Sequence, residues 1–479
     1  MVTISTLRSQ LDSKAISSVE LTKEYLKKID ESTDLGAYNT VCKDEAIKAA
    51  ELADKKIVSG DIKPLTGIPL AIKDNICTKG IKTTCSSKML ADYIPPYNAT
   101  VMEKLGADGT VVLGKTSMDE FAMGGSSQTS ALAKPKNPFN TDCVPGGSSG
   151  GSAVAVSAGL CAAALGSDTG GSIRQPAGFC GITGIKPTYG TVSRFGLVAF
   201  GSSLDQIGPM ANSAEDCGII LNSIAGQDVH DRTTRPHNID FNALLGKSIS
   251  GMKIGIPKEF FGEGIDEEIK TAVMNVAKFY ENNGAELIEV SMPTLKYAVS
   301  AYYLLACAEA SSNLSRYDGV KYGYRTESPE SYDELIKKSR SEGFGTEVKR
   351  RILLGTYALS SGYYDAYYKK ALAVRQQCRL EHDQIFEKCD VMLTPTTPTV
   401  AYKCGENIDD PVKMYLADIC TVTANIAGIP AISVPCGCDK NGMPIGFSLS
   451  AKRFDDAKLI QFADIFEKEN PHPIANIKL

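Results

Sequence analysis

Two glycine- and serine-rich runs constrain this chain more than any other feature of its sequence. The first, Gly146–Ser152, reads GGSSGGS, and the second, Gly166–Pro176, reads GSDTGGSIRQP. Either run alone would be typical of a flexible turn. However, the segment between them, Ala153–Leu165, consists of small and apolar residues that should pack tightly as a helix and a strand and hold both runs rigidly. Glycines in such loops let backbone N–H groups approach a ligand closely, as an oxyanion-binding site requires.

The rest of the chain alternates helical stretches with short strands, which favours an α/β fold built in layers. The composition is that of a globular protein, with 43% hydrophobic and 22% charged residues in a chain of 479. Ser17 and Glu20 fit a capping box at the start of an early helix. Short apolar runs broken by glycine and proline predict strands at Ile68–Ile72, Thr110–Leu113, Val391–Leu393 and Ile432–Val434.

We predict a single domain over residues 1–479, because no linker, repeat or low-complexity tract divides the chain. The first 60 residues should be helical. The core should consist of residues 61–265 and 385–479. The segment between them, 266–384, is rich in helical patterns and tyrosine, and we expect it to act as a cap over a site.

Charge and cysteine content limit the classes of partner and compartment. A net charge of −5 argues against a chain that binds a nucleic acid backbone by itself, so any nucleic acid should be held mainly by a partner. The fourteen cysteines form no CxxC pair and no Cys/His cluster, which is typical of reduced thiols in a cytoplasmic protein. Cys436 and Cys438 form a CxC, which is only a weak metal signal. We find neither a secretory signal nor the ~20-residue apolar stretch that spans a membrane.

Two short motifs match well-known patterns in an unsuitable context. The segment Gly109–Thr116 fits the phosphate-loop pattern GxxxxGK[ST], but its β-branched, apolar interior predicts a strand instead. The segment Gly147–Gly151 fits GxSxG, the nucleophile elbow of another hydrolase fold, which requires a preceding strand and a later acid and histidine. The residues before it are broken by proline, and the four histidines lie in no motif.

The two glycine/serine runs, together with the upstream segment AIKDN at 71–75, resemble the amidase signature family over essentially the whole chain. This resemblance implies a layered α/β/α fold with a large mixed central sheet. It implies a catalytic triad in which Ser172 attacks an amide carbonyl, Ser148 relays the proton and Lys73 is the base. It further implies an oxyanion hole made by the N–H groups of Thr169, Gly170, Gly171 and Ser172.

The chemistry of these residues is consistent with such roles. A lysine acts as a base only when it is neutral, which requires burial to lower its pKa from ~10.4. Lys73 follows an apolar run, which is compatible with burial, although a lysine at a strand end is ordinarily on the surface. We expect a cis peptide bond before Ser148. Asp168 and Arg174 should form an ion pair that supports the loop of Ser172.

Within the family, several segments resemble the A subunits of tRNA-dependent amidotransferases. They are MDEFAMG at 118–124, NPF at 137–139, EASSNLSR at 309–316, RRILLG at 350–355, SSGYY at 360–364 and the stretch 414–430. This resemblance implies a heterotrimer with subunits B and C, in which this chain hydrolyses glutamine and passes ammonia on. The partner would hold tRNA and use ATP and magnesium to amidate misacylated Glu-tRNA(Gln) or Asp-tRNA(Asn). No metal or cofactor is expected in this chain.

Glutamine carries an α-carboxylate and an α-ammonium group, so its site should contain a cation and an anion. Similarity points to Arg351 and Asp418, with Tyr302 or Tyr303 as a hydrogen-bond donor. Arg351 could instead be a solvated helix charge, and Asp418 a helix cap. The alternative function is a stand-alone amidase of the same family that acts on small amides and needs neither residue.

Overall fold

The structure is a computed structural model that describes residues 2–406 and 411–475. Its strands are β1 (Tyr38–Val41), β2 (Pro69–Lys73), β3 (Val111–Thr116), β4 (Ala163–Asp168), β5 (Thr183–Lys186), β6 (Gln206–Ala211), β7 (Lys253–Pro257), β8 (Glu286–Val290), β9 (Val391–Pro395), β10 (Ala431–Cys438) and β11 (Pro444–Ala451). Its α-helices are α1 (Ile4–Asp12), α2 (Ser18–Glu31), α3 (Lys43–Ser59), α4 (Thr100–Asp108), α5 (Gly150–Ser157), α6 (Arg174–Phe179), α7 (Ala214–Ile224), α8 (Glu267–Asn282), α9 (Leu295–Asn313), α10 (Tyr332–Gly343), α11 (Thr346–Leu359), α12 (Lys369–Ile385), α13 (Pro411–Leu416), α14 (Val422–Ala427) and α15 (Asp456–Glu469).

The described strands form one mixed sheet of eleven strands in the order β1-β3-β2-β4-β6-β5-β10-β11-β9-β7-β8. Strands β3, β2 and β4 run parallel, while β4, β6, β5, β10, β11 and β9 form antiparallel pairs. Every residue of β2 and β4 is buried, which means that both faces of the sheet are covered there. The predicted α/β fold with a large mixed central sheet is confirmed.

The small-residue segment between the two glycine/serine runs folds as predicted into a helix and a strand. Helix α5 is buried along almost its whole length, and β4 follows it into the centre of the sheet. Alanine and glycine allow α5 to pack directly on β4 and its neighbour β2. The two runs therefore lie at the ends of buried, closely packed elements.

The N-terminal segment differs from the expected all-helical structure by one strand. The capping box at Ser17 is present, since its side chain accepts from Glu20 N and Glu20 bonds back to Ser17 N. Between α2 and α3, however, Tyr38–Val41 forms β1, which pairs antiparallel with β3 at the sheet edge. Four half-buried residues are too few to give a periodic signal in the sequence.

The segment 266–384 is not helical throughout. Helix α8 packs on the sheet. Strand β8 pairs with β7 and is the last strand of the sheet, so α8 and β8 both belong to the central layers. The segment ELIEV does not alternate strictly between charged and apolar residues and follows a long helix closely, so its strand signal in the sequence is weak. The continuous helical part begins at α9. It shares a second hydrophobic cluster with Met118, Phe121, Phe200 and Val422, the last of which lies on α14.

Residues Val111–Thr116 of the phosphate-loop pattern form β3, as predicted from its apolar interior. Lys115 is fully buried, and its Nζ donates to Ile76 O at 2.6 Å and Thr83 Oγ1 at 2.8 Å. The side chain therefore holds the loop that follows β2. The Lys115 amine donates its hydrogen bonds to these protein atoms.

Candidate active site

The carboxyl ends of β2 and β4 bring the lysine motif and the second glycine/serine run together. These neighbouring strands run parallel, with Leu70 opposite Ala163 and Ile72 opposite Leu165. Strand β2 therefore ends at Lys73 beside the end of β4, where the loop with Ser172 begins. The side chains that follow parallel strands meet at one edge of a sheet, where α/β proteins commonly place their sites.

Lys73 lies at the centre of this site and is completely buried. Its Nζ donates to Ser148 Oγ at 2.7 Å, to Ser149 Oγ at 2.8 Å and to Ser167 Oγ at 2.9 Å. Burial lowers the pKa of Lys73 to about 7, against the opposing influence of buried carboxylates, of which Asp119 is the strongest. A large fraction of this lysine is therefore neutral at physiological pH.

Ser148 is fully buried beside Lys73 and follows a cis peptide bond from Gly147, as expected. Gly147 is required by close packing, because a Cβ there would lie 2.8 Å from Ser126 N and would overlap the carboxylate of Asp119. Its N–H donates to Gln175 Oε1 at 2.8 Å. The backbone before Ser148 is therefore fixed by this close packing and by the hydrogen bond to Gln175.

The loop of Ser172 is supported by the predicted ion pair of Asp168 and Arg174. Arg174 Nε and Nη2 donate to the two oxygens of Asp168 at 3.0 and 3.2 Å. Asn425 joins the pair, since it donates to Asp168 at 2.8 Å and accepts from Arg174 at 2.6 Å. Burial by itself would raise the pKa of Asp168, but Arg174 and these hydrogen bonds lower it to about 2. The carboxylate is therefore charged at neutral pH.

The four backbone N–H groups assigned to an oxyanion hole are not equivalent. Gly171 N donates to Asp168 Oδ1 at 2.8 Å, so in this structure its hydrogen is already engaged. Thr169, Gly170 and Ser172 donate their N–H groups to no other group within the described ranges 2–406 and 411–475. These three are the donors that remain for an oxyanion. No sequence pattern indicates the difference, because it depends on where the Asp168 carboxylate points.

Ser172 is the most accessible of the three triad candidates, with 8% of its surface exposed, whereas Lys73 and Ser148 are fully buried. Its backbone carbonyl accepts from Ser149 N at 3.1 Å, which ties the two serine loops together. In the described part of the chain no hydrogen bond joins the hydroxyls of Ser148 and Ser172. Catalytic hydrogen bonds often tighten only when a substrate is bound.

Tyr302, on α9, packs directly against Gly170. A Cβ on Gly170 would lie 2.5 Å from the Tyr302 hydroxyl oxygen, so only glycine fits. Thr421 also contacts this residue, since its Oγ1 donates to Gly170 O at 2.6 Å. The structure therefore places the predicted Tyr302 at the candidate oxyanion loop.

Arg351 and Asp418 are also brought to this region, and both are linked to Tyr303. Tyr303 donates to Asp418 Oδ2 at 2.6 Å, and the Arg351 guanidinium lies 5.1 Å from the centre of the Tyr303 ring. Burial raises the pKa of Asp418 to about 6, with the Tyr303 hydrogen bond and Arg351 opposing the shift. Arg351 is only 2% exposed and pairs with Glu347 at 2.8 Å, so it is not a solvated helix charge.

Sequence reasoning missed several residues that complete the site. Asn75 donates to Ser167 Oγ at 3.0 Å, and Ser167 in turn contacts Lys73. Asn425 and Thr421 come from the region of α14, and Glu347 comes from α11. Asn75 and Ser167 lie within the lysine and glycine/serine motifs, and Thr421 and Asn425 lie within the stretch 414–430 that resembles the family, whereas Glu347 lies in none of these segments. Glu347 is brought to the site by the packing of α11 against α9.

The structure shows neither a metal-binding cluster nor a membrane-spanning helix in the residues it describes. Within 2–406 and 411–475 no group of three or more His, Cys, Asp or Glu side chains is arranged to hold a metal ion. Cys436 is half-buried and Cys438 exposed at the end of β10, and both are free thiols. No described helix is both long and apolar enough to span a bilayer.

Comparison with known proteins identifies the family. A family model described as Amidase matches residues 20–460. The chain belongs to the amidase family. A curated relative from Caldanaerobacter subterraneus subsp. tengcongensis, named as the A subunit of glutamyl-tRNA(Gln) amidotransferase, is 55% identical over 469 residues, covering 98% of this chain and 96% of the relative.

Solved structures of other amidases share the fold. The crystal structure of the A subunit of glutamyl-tRNA(Gln) amidotransferase from Thermotoga maritima is 45% identical, with a TM-score of 0.75 over 86% of this chain and 87% of that one. The peptide amidase of Stenotrophomonas maltophilia is 28% identical, with a TM-score of 0.83 over 99% of each chain. The amidase fold thus occurs both in an amidotransferase component and in a peptide amidase.

Proposed function

We propose that this amidase is the glutamine-hydrolysing subunit of a tRNA-dependent amidotransferase, with Ser172, Ser148 and Lys73 as its catalytic triad. The observation that carries the catalytic part is the buried Lys73–Ser148 hydrogen bond of 2.7 Å at the edge of the loop with Ser172. The glutamine part is supported by the relative that is 55% identical over nearly the whole chain.

In the first half of the reaction, Ser172 Oγ attacks the carboxamide carbon of glutamine. The Ser172 proton passes to Ser148, while the Ser148 proton passes to neutral Lys73. The carbonyl becomes an oxyanion that accepts hydrogen bonds from the N–H groups of Gly170 and Ser172, with Thr169 as a third donor. Such preorganised donors contribute most of the stabilisation in acyl-transfer sites.

Collapse of the tetrahedral intermediate breaks the C–N bond. The proton held by Lys73 returns through Ser148 to the leaving nitrogen, so ammonia departs and a glutamyl ester remains on Ser172. A water molecule then attacks the ester, giving its proton to the same Ser148–Lys73 pair, and glutamate leaves as Ser172 regains its proton. Lys73 and Ser148 serve both halves because each returns to its starting protonation state.

The polar groups of glutamine fit the charged side chains beyond the triad. Arg351 would bind the α-carboxylate, Asp418 would bind the α-ammonium group, and Tyr302 would border the carboxamide at Gly170. Asp418 must be charged for this role, which its pKa of about 6 allows at neutral pH. A stand-alone amidase for simple amides would have no use for these two opposite charges.

The ammonia would pass to partner subunits B and C of a heterotrimer. We assign the binding of misacylated tRNA, ATP and Mg²⁺ mainly to the partners, since this chain carries a net charge of −5. Whether Glu-tRNA(Gln) or Asp-tRNA(Asn) is amidated is a property of the assembled complex.

The test is ammonia release from glutamine by the chain, with and without co-expressed subunits, charged tRNA and ATP. Ser172→Ala and Lys73→Ala should each abolish release while remaining folded, whereas Ser315→Ala, the same substitution at an exposed serine, should not alter it. Stimulation by the partners supports the amidotransferase. Hydrolysis of simple amides, with glutamine ignored in every mixture, would instead identify a free-standing amidase.

A further inference from the structure

The orientation of the Arg351 guanidinium is set by a neighbour one helical turn earlier on α11. Arg351 Nε donates to Glu347 Oε1 at 2.8 Å. Within the described residues, the two terminal nitrogens of Arg351 donate to no protein group. The guanidinium plane is also confined by aromatic rings, since it lies 5.1 Å from the Tyr303 ring centre and 5.5 Å from that of Tyr415.

Glu347 is itself held in place and is 6% exposed. Tyr415 donates its hydroxyl to Glu347 Oε1 at 3.1 Å, and Arg350 pairs with the other carboxylate oxygen. Both oxygens are therefore engaged by the protein, and the carboxylate cannot turn freely. A fixed acceptor on one edge of a planar guanidinium fixes the direction of its remaining N–H groups.

A purely stabilising role explains this arrangement poorly. Exposed Glu–Arg pairs at this helical spacing contribute little to stability, and burying such a pair costs desolvation that its attraction often does not recover. Arg351 and Glu347 are both buried. Their position beside Tyr303, which bonds Asp418, places the pair at the region proposed for the charged groups of the substrate.

We propose that Glu347 is a positioning residue for substrate specificity: by occupying Nε of Arg351, it directs the two terminal nitrogens to donate to the α-carboxylate of an amino-acid amide. The inference rests on the proposed function. Two parallel N–H···O bonds to a carboxylate give geometric selectivity as well as affinity. Substrates without that carboxylate gain nothing from the arrangement, so Glu347 separates glutamine from simple amides.

The test compares two amides in the complex with its partner subunits: glutamine, and 4-aminobutanamide, which lacks the α-carboxylate. Glu347→Gln should raise KM for glutamine about tenfold, the usual range for one charge-assisted contact, with kcat nearly unchanged. The kcat/KM for 4-aminobutanamide should stay the same. Glu347→Asp should recover part of the loss, and Glu342→Gln, which changes an exposed acid on α10, should have no effect.

A second variant tests the same role in case Glu347→Gln does not fold. Tyr415→Phe removes the other donor to Glu347 Oε1 and should raise KM for glutamine in the same direction by a smaller factor. In an Arg351→Met background, Glu347→Gln should have no further effect on KM, because the two residues act through one contact.

The outcomes separate the inference from the function on which it rests. Equal losses for both amides in Glu347→Gln, or unchanged KM for glutamine, would overturn the positioning role while leaving the glutaminase intact. If the wild-type complex cleaves no glutamine, the proposed function fails first, and the role of Glu347 fails with it.

Discussion

Lys73 Nζ lies 2.7 Å from Ser148 Oγ, and no solvent reaches either group. The burial that forms this contact is also what lowers the pKa of Lys73 to about 7. A lysine in such an environment can accept a proton at neutral pH, which an ordinary surface lysine cannot do. The packing that buries Lys73 therefore also enables it to accept a proton from Ser148.

The first prediction concerns pH. Because only neutral Lys73 can act as the base, kcat/KM for glutamine should rise about tenfold per pH unit below about 7 and level off above it. The measurement is ammonia release between pH 5.5 and about 9, the range over which a base of this pKa titrates, with circular dichroism to show that the fold is unchanged. A rate that is flat or falls with pH would exclude a neutral lysine as base.

Asp418 could add to that profile, since its pKa is about 6 and its charged form is proposed to bind the α-ammonium group. Glutaramate, the amide that lacks this group, is the control substrate. Its profile should keep the rise centred at about 7 and lose any contribution from Asp418.

The second prediction concerns the contact between Gly170 and Tyr302. Gly170→Ala would place a methyl group 2.5 Å from the Tyr302 hydroxyl oxygen, and the buried ring has little room to move. Displacement of the oxyanion loop should lower kcat/KM about a hundredfold, the scale seen when a reacting group is misplaced by 1 Å. Steady-state glutaminase kinetics measure the effect.

Gly106→Ala is the control for this substitution. Gly106 lies in α4 with open space where a Cβ would be added, so the change should leave activity intact and raise helix stability slightly. Full activity in Gly170→Ala would show that the loop tolerates the methyl group and that the contact does not constrain the site.

The third prediction concerns stability. Arg174→Met should lower the free energy of unfolding by about 3–5 kcal/mol, because it leaves the buried Asp168 carboxylate without its cation. Urea unfolding followed by circular dichroism measures the change. Lys82→Met, which breaks an exposed pair with Asp92, should cost less than about 1 kcal/mol. Comparable losses in the two variants would mean that Asp168 is adequately held by its other hydrogen bonds.

The fourth prediction concerns the phosphate-loop pattern. Lys115 donates to Ile76 O and Thr83 Oγ1 inside the protein, so Lys115→Met should lower the unfolding midpoint and leave any ATP affinity of the isolated chain unchanged. Lys186→Met changes another fully buried lysine outside the motif. It should also lower the unfolding midpoint and leave ATP affinity unchanged. Calorimetric titration with Mg-ATP is the measurement, and ATP binding that disappears only in the Lys115 variant would contradict the assignment to a strand.

Several elements around the site follow from local patterns in the sequence. Apolar runs and capping residues predicted β2, β3 and α2, and the small residues of Ala153–Leu165 predicted the helix and strand that became α5 and β4. The triad candidates could also be named in advance, because AIKDN at 71–75 and the two glycine- and serine-rich runs resemble the amidase signature family. The short strands β1 and β8 were not predicted, since their signals are brief or masked by neighbouring helices.

The way the site residues act together depends on tertiary packing. Lys73 is a candidate base because parallel pairing and packing bury it, and burial is a property of the whole core. Gly171 is set apart from Gly170 by the direction of the Asp168 carboxylate. Glu347 acquires its role because α11 lies beside Tyr303, far from it in sequence. Local patterns encode backbone conformation, whereas the direction of a buried polar group depends on partners that only folding brings together.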